Sequence, residues 1–342
     1  MALMAVTEVL REIPSKLRGA KIPASGKAVV TGAGGGLGQA FCRLLGARGY
    51  EPVPVDIKGT ERVLDVTDPE ACRELAREVE PVIWINNAGL LGNGDALKQS
   101  DEEIRKVVEV NVLGVIYGTR AAAEVMVASG AGGILNIGSL AAWSPIPGLA
   151  VYSASKHAVR AYTNSVAIEL ANTGVRCCVI CPDAIITPMM DAALDDPDAS
   201  WAFSGSRLLD PDEVATAGLE LLLERGSLVR SLPEWRGALT KFSGLFPASG
   251  LLLGGVVARR GRAIQRRTQR SGIQETESVA TRGLRHRASQ GISRAASQGA
   301  SRSAREGASR SAPEGVGARI EAGIWPEIPS KPESSSPGEA TS

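Results

Sequence analysis

A short run, Lys27-Ala28-Val29-Val30-Thr31, passes directly into Gly32-Ala33-Gly34-Gly35-Gly36-Leu37-Gly38 and then into a helical pattern through Phe41, Leu44 and Leu45. Few local patterns restrict a fold as tightly. A strand that breaks on glycines into a helix leaves free N–H groups and the positive end of the helix dipole at a tight turn. Such a turn can receive a pyrophosphate. The glycines let the backbone close the turn and let a ligand approach it.

The alternation repeats along the chain. Residues 53–56, 62–66, 82–85, 133–137 and 175–180 are short apolar, β-branched runs that read as strands. Between them lie a helix start at Thr67-Asp68-Pro69-Glu70, a long helical pattern over 101–126, and another through Tyr152 to about 173. Strands alternating with helices predict an α/β fold: a doubly wound parallel sheet with helices on both faces. In such sheets ligands bind beyond the carboxyl ends of the strands. Residues 32–38, Asp56, Asp65, 86–89, Ser139 and 182–187 all fall at those ends. Asp56 closes the second strand about twenty residues past the glycines, where a carboxylate accepts from ribose hydroxyls and repels a 2′-phosphate. That favours NAD over NADP, with Lys27 and Lys58 weakening the preference.

Tyr152 and Lys156 stand four residues apart on the last long helix and so share a face. A phenol ionises near pH ~10. A neighbouring cation is expected to lower that value and make the phenol a general acid/base for a carbonyl or alcohol. Asn111 interrupts the helix over 101–126, although asparagine disfavours helix interiors.

With these residues placed, the chain resembles the short-chain dehydrogenase/reductase family over roughly residues 26–235. Thr31-Gly32-x-x-x-Gly36-x-Gly38 is similar to its cofactor turn, Asn86-Asn87-Ala88-Gly89 to its second motif, and Asn111, Ser139, Tyr152 and Lys156 to its catalytic tetrad. The resemblance implies a Rossmann fold and hydride transfer between a nicotinamide and an alcohol or ketone carbon. Tyr152 would be the acid/base. Lys156 would lower its pKa and hold the nicotinamide ribose, Ser139 would bond the substrate oxygen, and Asn111 would hold a water. Gly32, Gly36, Leu37, Gly38, Asp56, Asp65, Val66, Asn87, Ala88, Gly89, Tyr152, Lys156, Ile185 and Thr187 would contact the cofactor, with Asp65 and Val66 at the adenine and Ile185 and Thr187 at the carboxamide. Assembly as a homodimer or homotetramer through the helices over 101–126 and 152–173 is implied as well. The chain departs from the family at Asp183, where a glycine usually follows the proline. The ending at Ser227 to Pro233-Glu234-Trp235 is more similar to members acting on lipophilic alcohols and ketones.

The chain has 342 residues and a net charge of +1, which argues against a general nucleic-acid-binding surface. No apolar run is expected to reach a membrane span, and residues 1–25 lack a secretory h-region, so a cytoplasmic location is the default. Cys178-Val179-Ile180-Cys181 lies in a strand whose i and i+3 side chains point to opposite faces, and only two histidines are present, so no metal site is expected.

Three segments follow: an extension over 1–25, a catalytic domain over 26–258, and a basic low-complexity tail over 259–342, expected to be disordered. The tail repeats with a period of eight from Ser293 and carries nothing apolar enough for a heptad seam. Glu12-Ile13-Pro14-Ser15-Lys16 recurs at 327–331, without a physical account. Trp143, Pro145, Pro147, Met189, Met190, Trp201 and Phe203 lie in loops and suggest a lid over a lipophilic alcohol or ketone. The apolar stretch 242–257, followed by Arg259, Arg260 and Arg262, fits either an anionic membrane surface or a subunit contact. A rival to the enzyme reading is a cofactor-binding sensor or scaffold acting through the basic tail.

Overall fold

The computed structural model describes residues 20–269, apart from 192, 195, 206, 225, 226, 247, 249–251 and 253. The octad repeat and the second Glu-Ile-Pro-Ser-Lys string lie outside the described residues. β1 (Gly26–Thr31) leads into α1 (Gly36–Ala47), β2 (Tyr50–Asp56), β3 (Arg62–Val63), α2 (Pro69–Val79) and β4 (Ile83–Asn86). Then come α3 (Asp101–Val108), a π-helical turn (Glu109–Leu113), α4 (Gly114–Ser129), β5 (Gly132–Ile137), α5 (Ala150–Glu169) and β6 (Val175–Pro182). The short α6 (Pro188–Asp191), α7 (Pro211–Leu223), β7 (Val229–Leu232), α8 (Glu234–Leu245) and a helix over 254–269, α9, follow.

All strand pairs are parallel, in the order β3-β2-β1-β4-β5-β6-β7. The order reverses between β1 and β4, the switch point where such sheets open a crevice. Strand period sorts the side chains: Val30, Ile85, Leu135 and Cys178 join Phe41 and Leu219 in one core. Their neighbours Val29, Trp84, Ile134 and Cys177 join Met126 and Leu75 on the other face. Cys178 and Cys181 consequently enter different clusters.

Local chemistry sets the helix starts. Asp68 accepts from the Glu70 and Ala71 N–H groups with Pro69 at the first helical position, and Ser100 with Glu103 forms a capping box. α5 stops at Glu169, short of the expected 173, because the chain turns through Asn172 at φ 73°. β3 is shorter than the expected 62–66, since Leu64 and Val66 turn into the core.

By length and composition alone the continuous helix Asp101–Ser129 could cross a bilayer, although Glu109, Arg120 and Glu124 interrupt its apolar residues. Its apolar content serves the core: Ala121, Ala122 and Met126 pack against the Trp84 face of the sheet.

Both expected domain boundaries shift. Residues 20–25 belong to the folded unit: Lys21 N–H donates to Gly174 O, Gly132 N–H donates to Lys21 O, and Ile22 packs on the core. Residue 258 falls inside α9, which is fastened by Gln265 Nε2 donating to the carbonyls of Ala193 (3.2 Å) and Asp196 (2.8 Å) and by Gln269 Nε2 donating to Leu194 O (2.8 Å). Buried Gln265 and half-buried Ile264 form its inner face and the arginines its outer one, so basic composition there marks a solvated helix face and not the start of a tail.

Candidate active site

A cleft of about 1220 Å³ runs along the carboxyl ends of the strands. That exceeds the ~300–1,000 Å³ of ordinary ligand pockets, leaving room for a dinucleotide and a second molecule. At one end lies the glycine turn. Thr31 holds it from behind: its hydroxyl accepts from the N–H groups of Asn87 (3.0 Å) and Ala88 (3.1 Å). Asn87 Nδ2 donates to the carbonyls of Thr31 (2.9 Å) and Gly32 (3.0 Å). α1 has Gly35 as its N-cap, with no side-chain cap and no acidic residue in its first turn, which leaves its N–H groups available to an anion.

The glycines divide by task. A Cβ on Gly38 would run into the Gly32 carbonyl, and one on Gly32 would strike the Ala88 backbone. A Cβ on Gly36 would meet only Thr187 Cγ2 at 3.7 Å and project into the cleft. Asp56 Oδ2 accepts from Gly34 N (3.0 Å) and Oδ1 from Ile57 N (2.7 Å), so the carboxylate is fixed at the rim beside the turn. An uncapped helix start, a bare backbone cradle and a fixed carboxylate are the donor and acceptor set that an adenosine dinucleotide requires.

Leu37, Asp65, Val66, Gly89, Ile185 and Thr187 line the same cleft. Asp65 spends its Oδ1 on the Thr67 N–H and hydroxyl.

At the other end of the cleft are Ser139, Tyr152 and Lys156. The Tyr152 phenol and the Ser139 hydroxyl line the cleft together, and the hydroxyl favours the ionised phenol. Ser139 Oγ also accepts from Ala141 N (3.1 Å), which fixes it at the start of a 3₁₀ turn, Leu140–Ala142. Lys156 is buried, with Nζ 5.6 Å from the Tyr152 ring centroid, and donates to Ile137 O (3.0 Å). The expected lowering of the phenol by Lys156 is absent. Burial pushes Tyr152 up to about 12 against the Ser139 hydroxyl, and the same loss of water pushes Lys156 down to about 8.

Asn111 sits fully buried in the π-helical turn. Its Oδ1 accepts from Leu90 N (2.7 Å), and its Nδ2 donates to Leu90 O (2.8 Å) and Ser155 Oγ (3.1 Å). It thereby ties the Leu90 peptide to α5, since Ser155 in turn donates to Tyr152 O (2.7 Å). Helix widening at an internal asparagine is a common device at functional sites.

Several contributors escaped the sequence reading. Arg236 pairs with Asp183, the residue that departs from the family pattern, and both line the cleft. Val256, Val257 and Arg260 of α9 also reach it. Beneath it, buried Asn86 accepts from Trp84 Nε1 (2.7 Å) and donates to Asn136 Oδ1 (2.8 Å), and Asn136 donates to Thr163 Oγ1 (2.9 Å). An asparagine within the apolar string Gly-Ile-Leu-Asn-Ile was the available signal. Of the expected lid residues, Pro145, Met189, Met190 and Trp201 line the cleft. Trp143 is instead held between Arg160 (4.0 Å) and Lys241 (4.6 Å), and Phe203 is core.

Residues 26–198, half of the chain, match the sequence model described as short chain dehydrogenase. The chain is 36% identical over 197 residues to 2-(R)-hydroxypropyl-CoM dehydrogenase of Xanthobacter autotrophicus, covering 50% of this chain and 79% of that one. It is similar to the crystal structure of a short chain dehydrogenase from Burkholderia cenocepacia in complex with NADP. There the TM-score is 0.57, with 28% identity over 68% of this chain and 98% of that one. A short chain dehydrogenase/reductase from Burkholderia phymatum in complex with NAD gives the same TM-score at 27% identity, over 64% and 92%. The family model ends at residue 198, yet the cleft is completed by α8 and α9 of the same folded unit. Sequence match, sheet order and cleft agree, and the chain belongs to the short-chain dehydrogenase family of oxidoreductases.

Proposed function

We propose that this chain transfers a hydride between NAD and the alcohol or ketone carbon of a lipophilic substrate. The observation that carries the reading is that Ser139, Tyr152 and Lys156, with the Lys156 ammonium 5.6 Å from the Tyr152 ring, line the same cleft as the bare glycine cradle. The nicotinamide supplies the hydride chemistry when bound. The chain's own groups hold the substrate and move the proton. Ser139 donates to the substrate oxygen, where charge develops. Tyr152, kept protonated near neutral pH by its burial, gives its proton to a ketone oxygen and takes it back from an alcohol. Asn111 keeps the Leu90 loop and α5 in register, and so keeps the phenol in place. Asp56 prefers the unphosphorylated ribose, which supports NAD.

The lipophilic substrate class rests on Leu149, Met189, Met190, Trp201, Trp235 and Phe242 along the cleft. Assembly uses the helices over 101–129 and α5, whose Val127 and Ile168 stand exposed. Tyr152→Phe tests the reading. It keeps NAD affinity, measured by cofactor fluorescence, and lowers turnover of a responsive ketone by at least ~10²-fold. Unchanged turnover in Tyr152→Phe, or no turnover by the parent across a broad panel of alcohols and ketones with NAD and NADP, favours a cofactor-binding sensor instead.

A further inference from the structure

The mouth of the cleft is rimmed by exposed apolar side chains. Trp235, Leu239 and Phe242 of α8, Met189, and Val256 of α9 all line the cleft and keep 40–65% of their surface open to solvent. Leu245, at the end of α8, and Leu252, just before α9, are exposed as well, at 75% and 85%. Contiguous apolar surface around an opening is uncommon on a chain meant to face only water.

Beside it stands a charge pattern of one sign. From residue 235 to residue 269 the chain carries seven basic residues and no acidic one, although its net charge overall is +1. One of the seven, Arg236, is neutralised by Asp183. On α9, Arg259, Arg260, Arg262 and Arg266 are exposed, while Gln265 is anchored inward.

We propose that this face, formed by α8 and the outer side of α9, seats on an anionic lipid bilayer. The rim enters the headgroup region and the arginines meet the lipid charge. Apolar side chains next to a purely basic helix face are what an interfacial surface requires, one for the acyl boundary and one for the anionic heads. A second copy fits less well, because a two-fold contact through this face would oppose arginine to arginine. A nucleic acid would use the arginines but leave the apolar rim in water. Resting on the substrate reading above, the arrangement opens the cleft toward the membrane, so that a lipophilic alcohol or ketone enters from the lipid.

The test is co-sedimentation of the full chain with phosphatidylcholine vesicles, with and without phosphatidylglycerol. Phosphatidylglycerol is expected to raise the bound fraction strongly and added salt to reverse the gain. Arg262→Gln with Arg266→Gln lowers the partition about 25-fold, at roughly fivefold per arginine at a bilayer surface. Leu245→Ser with Leu252→Ser lowers it by about tenfold or more. Both double variants keep the parent's thermal midpoint, because the four side chains are exposed. Equal partition with and without phosphatidylglycerol overturns the proposal. So does binding that survives both double variants, which assigns it to residues beyond 269. Binding of duplex nucleic acid without vesicle binding, or self-association abolished by the leucine variants without vesicle binding, also overturns it. Turnover of a water-soluble ketone without vesicles is measured in parallel. Its loss with partition intact rejects the enzyme reading alone, and the converse rejects only the membrane face.

Discussion

Arg236 Nε lies 2.7 Å from Asp183 Oδ2, an ion pair across the wall of the cleft in which the two side chains are 15% and 9% exposed. Arg236 also donates to Ser204 O (3.0 Å) and Ser204 Oγ (2.8 Å), so one guanidinium ties the end of β6, α8 and the 204 turn together. A glycine at 183 could not make this tie. Asp183→Ala leaves the arginine without its counter-charge in a poorly hydrated wall and is expected to lower stability by about 3 kcal/mol. Urea denaturation of Asp183→Ala, Arg236→Ala and the double variant measures it. A coupling near zero in that cycle refutes the tie.

The same pair predicts a pH effect. Burial raises Asp183 above its ordinary value of 3.8 more than Arg236 lowers it. A carboxyl raised in the folded state binds protons more tightly there than in the unfolded chain. Its contribution is therefore fully present below the unfolded pKa and is lost as pH rises through the folded one. Against Asp183→Asn, the parent should lose relative stability as pH climbs from the ordinary aspartate range toward neutrality. Parallel stability curves for the two proteins would contradict this.

Lys156 works in the opposite sense. Its folded value near 8 lies below the ordinary 10.5, so between those two pH values the unfolded chain binds the extra proton and stability rises with pH. At pH 7 the buried ammonium costs on the order of 3 kcal/mol. Lys156→Met forfeits the hydrogen bond to Ile137 O at every pH, so the slope, not the level, is diagnostic. The parent should gain on the variant from pH 8 to 10.5, measured by denaturant titration at fixed ionic strength. An unchanging gap would mean that the ammonium is not desolvated.

The parallel sheet and the shared strand-end position of the site residues were legible because both follow from local chemistry. Alternating apolar runs put residues 32–38, Asp56, Ser139 and the Asn86-Asn87-Ala88-Gly89 string at the same strand ends, and a four-residue spacing put Tyr152 with Lys156. What stayed hidden depends on tertiary neighbours. Nothing local to Arg236 announces a partner 53 residues earlier, and nothing in Arg259 to Arg267 shows that Gln265 will turn inward and make a helix of them. The phenol's pKa failed for the same reason. Spacing supplies the cation, but burial, which spacing does not report, sets the direction of the phenol's shift.

The glycine turn separates folding from binding. Gly38→Ala drives its methyl into the Gly32 carbonyl and should destabilise the domain by at least ~1–3 kcal/mol, because backbone yields poorly. Gly36→Val meets only Thr187 at first contact and should leave the thermal midpoint within about a degree or two while weakening dinucleotide binding tenfold or more. Calorimetry and cofactor titration on the two variants decide it. Similar behaviour of both would mean that the cleft side of Gly36 is not where the dinucleotide lies.

Asp56 tests cofactor choice and loop order together. Its Oδ2 accepts from Gly34 N and its Oδ1 from Ile57 N, so the carboxylate both organises the turn and presents charge at the rim. Asp56→Asn keeps one acceptor oxygen and loses the charge. Asp56→Ala loses both. If charge sets the preference, both variants improve NADP relative to NAD by similar factors of tenfold or more, about 1.4 kcal/mol of relieved repulsion. If loop order dominates, only Asp56→Ala changes, and it weakens both cofactors equally. Dissociation constants for NAD and NADP with the three proteins distinguish these outcomes. A parent that already binds NADP as tightly as NAD removes the Asp56 charge as the selector, and points to Lys58, whose backbone N–H reaches the same carboxylate at 3.4 Å, as the cation that offsets it.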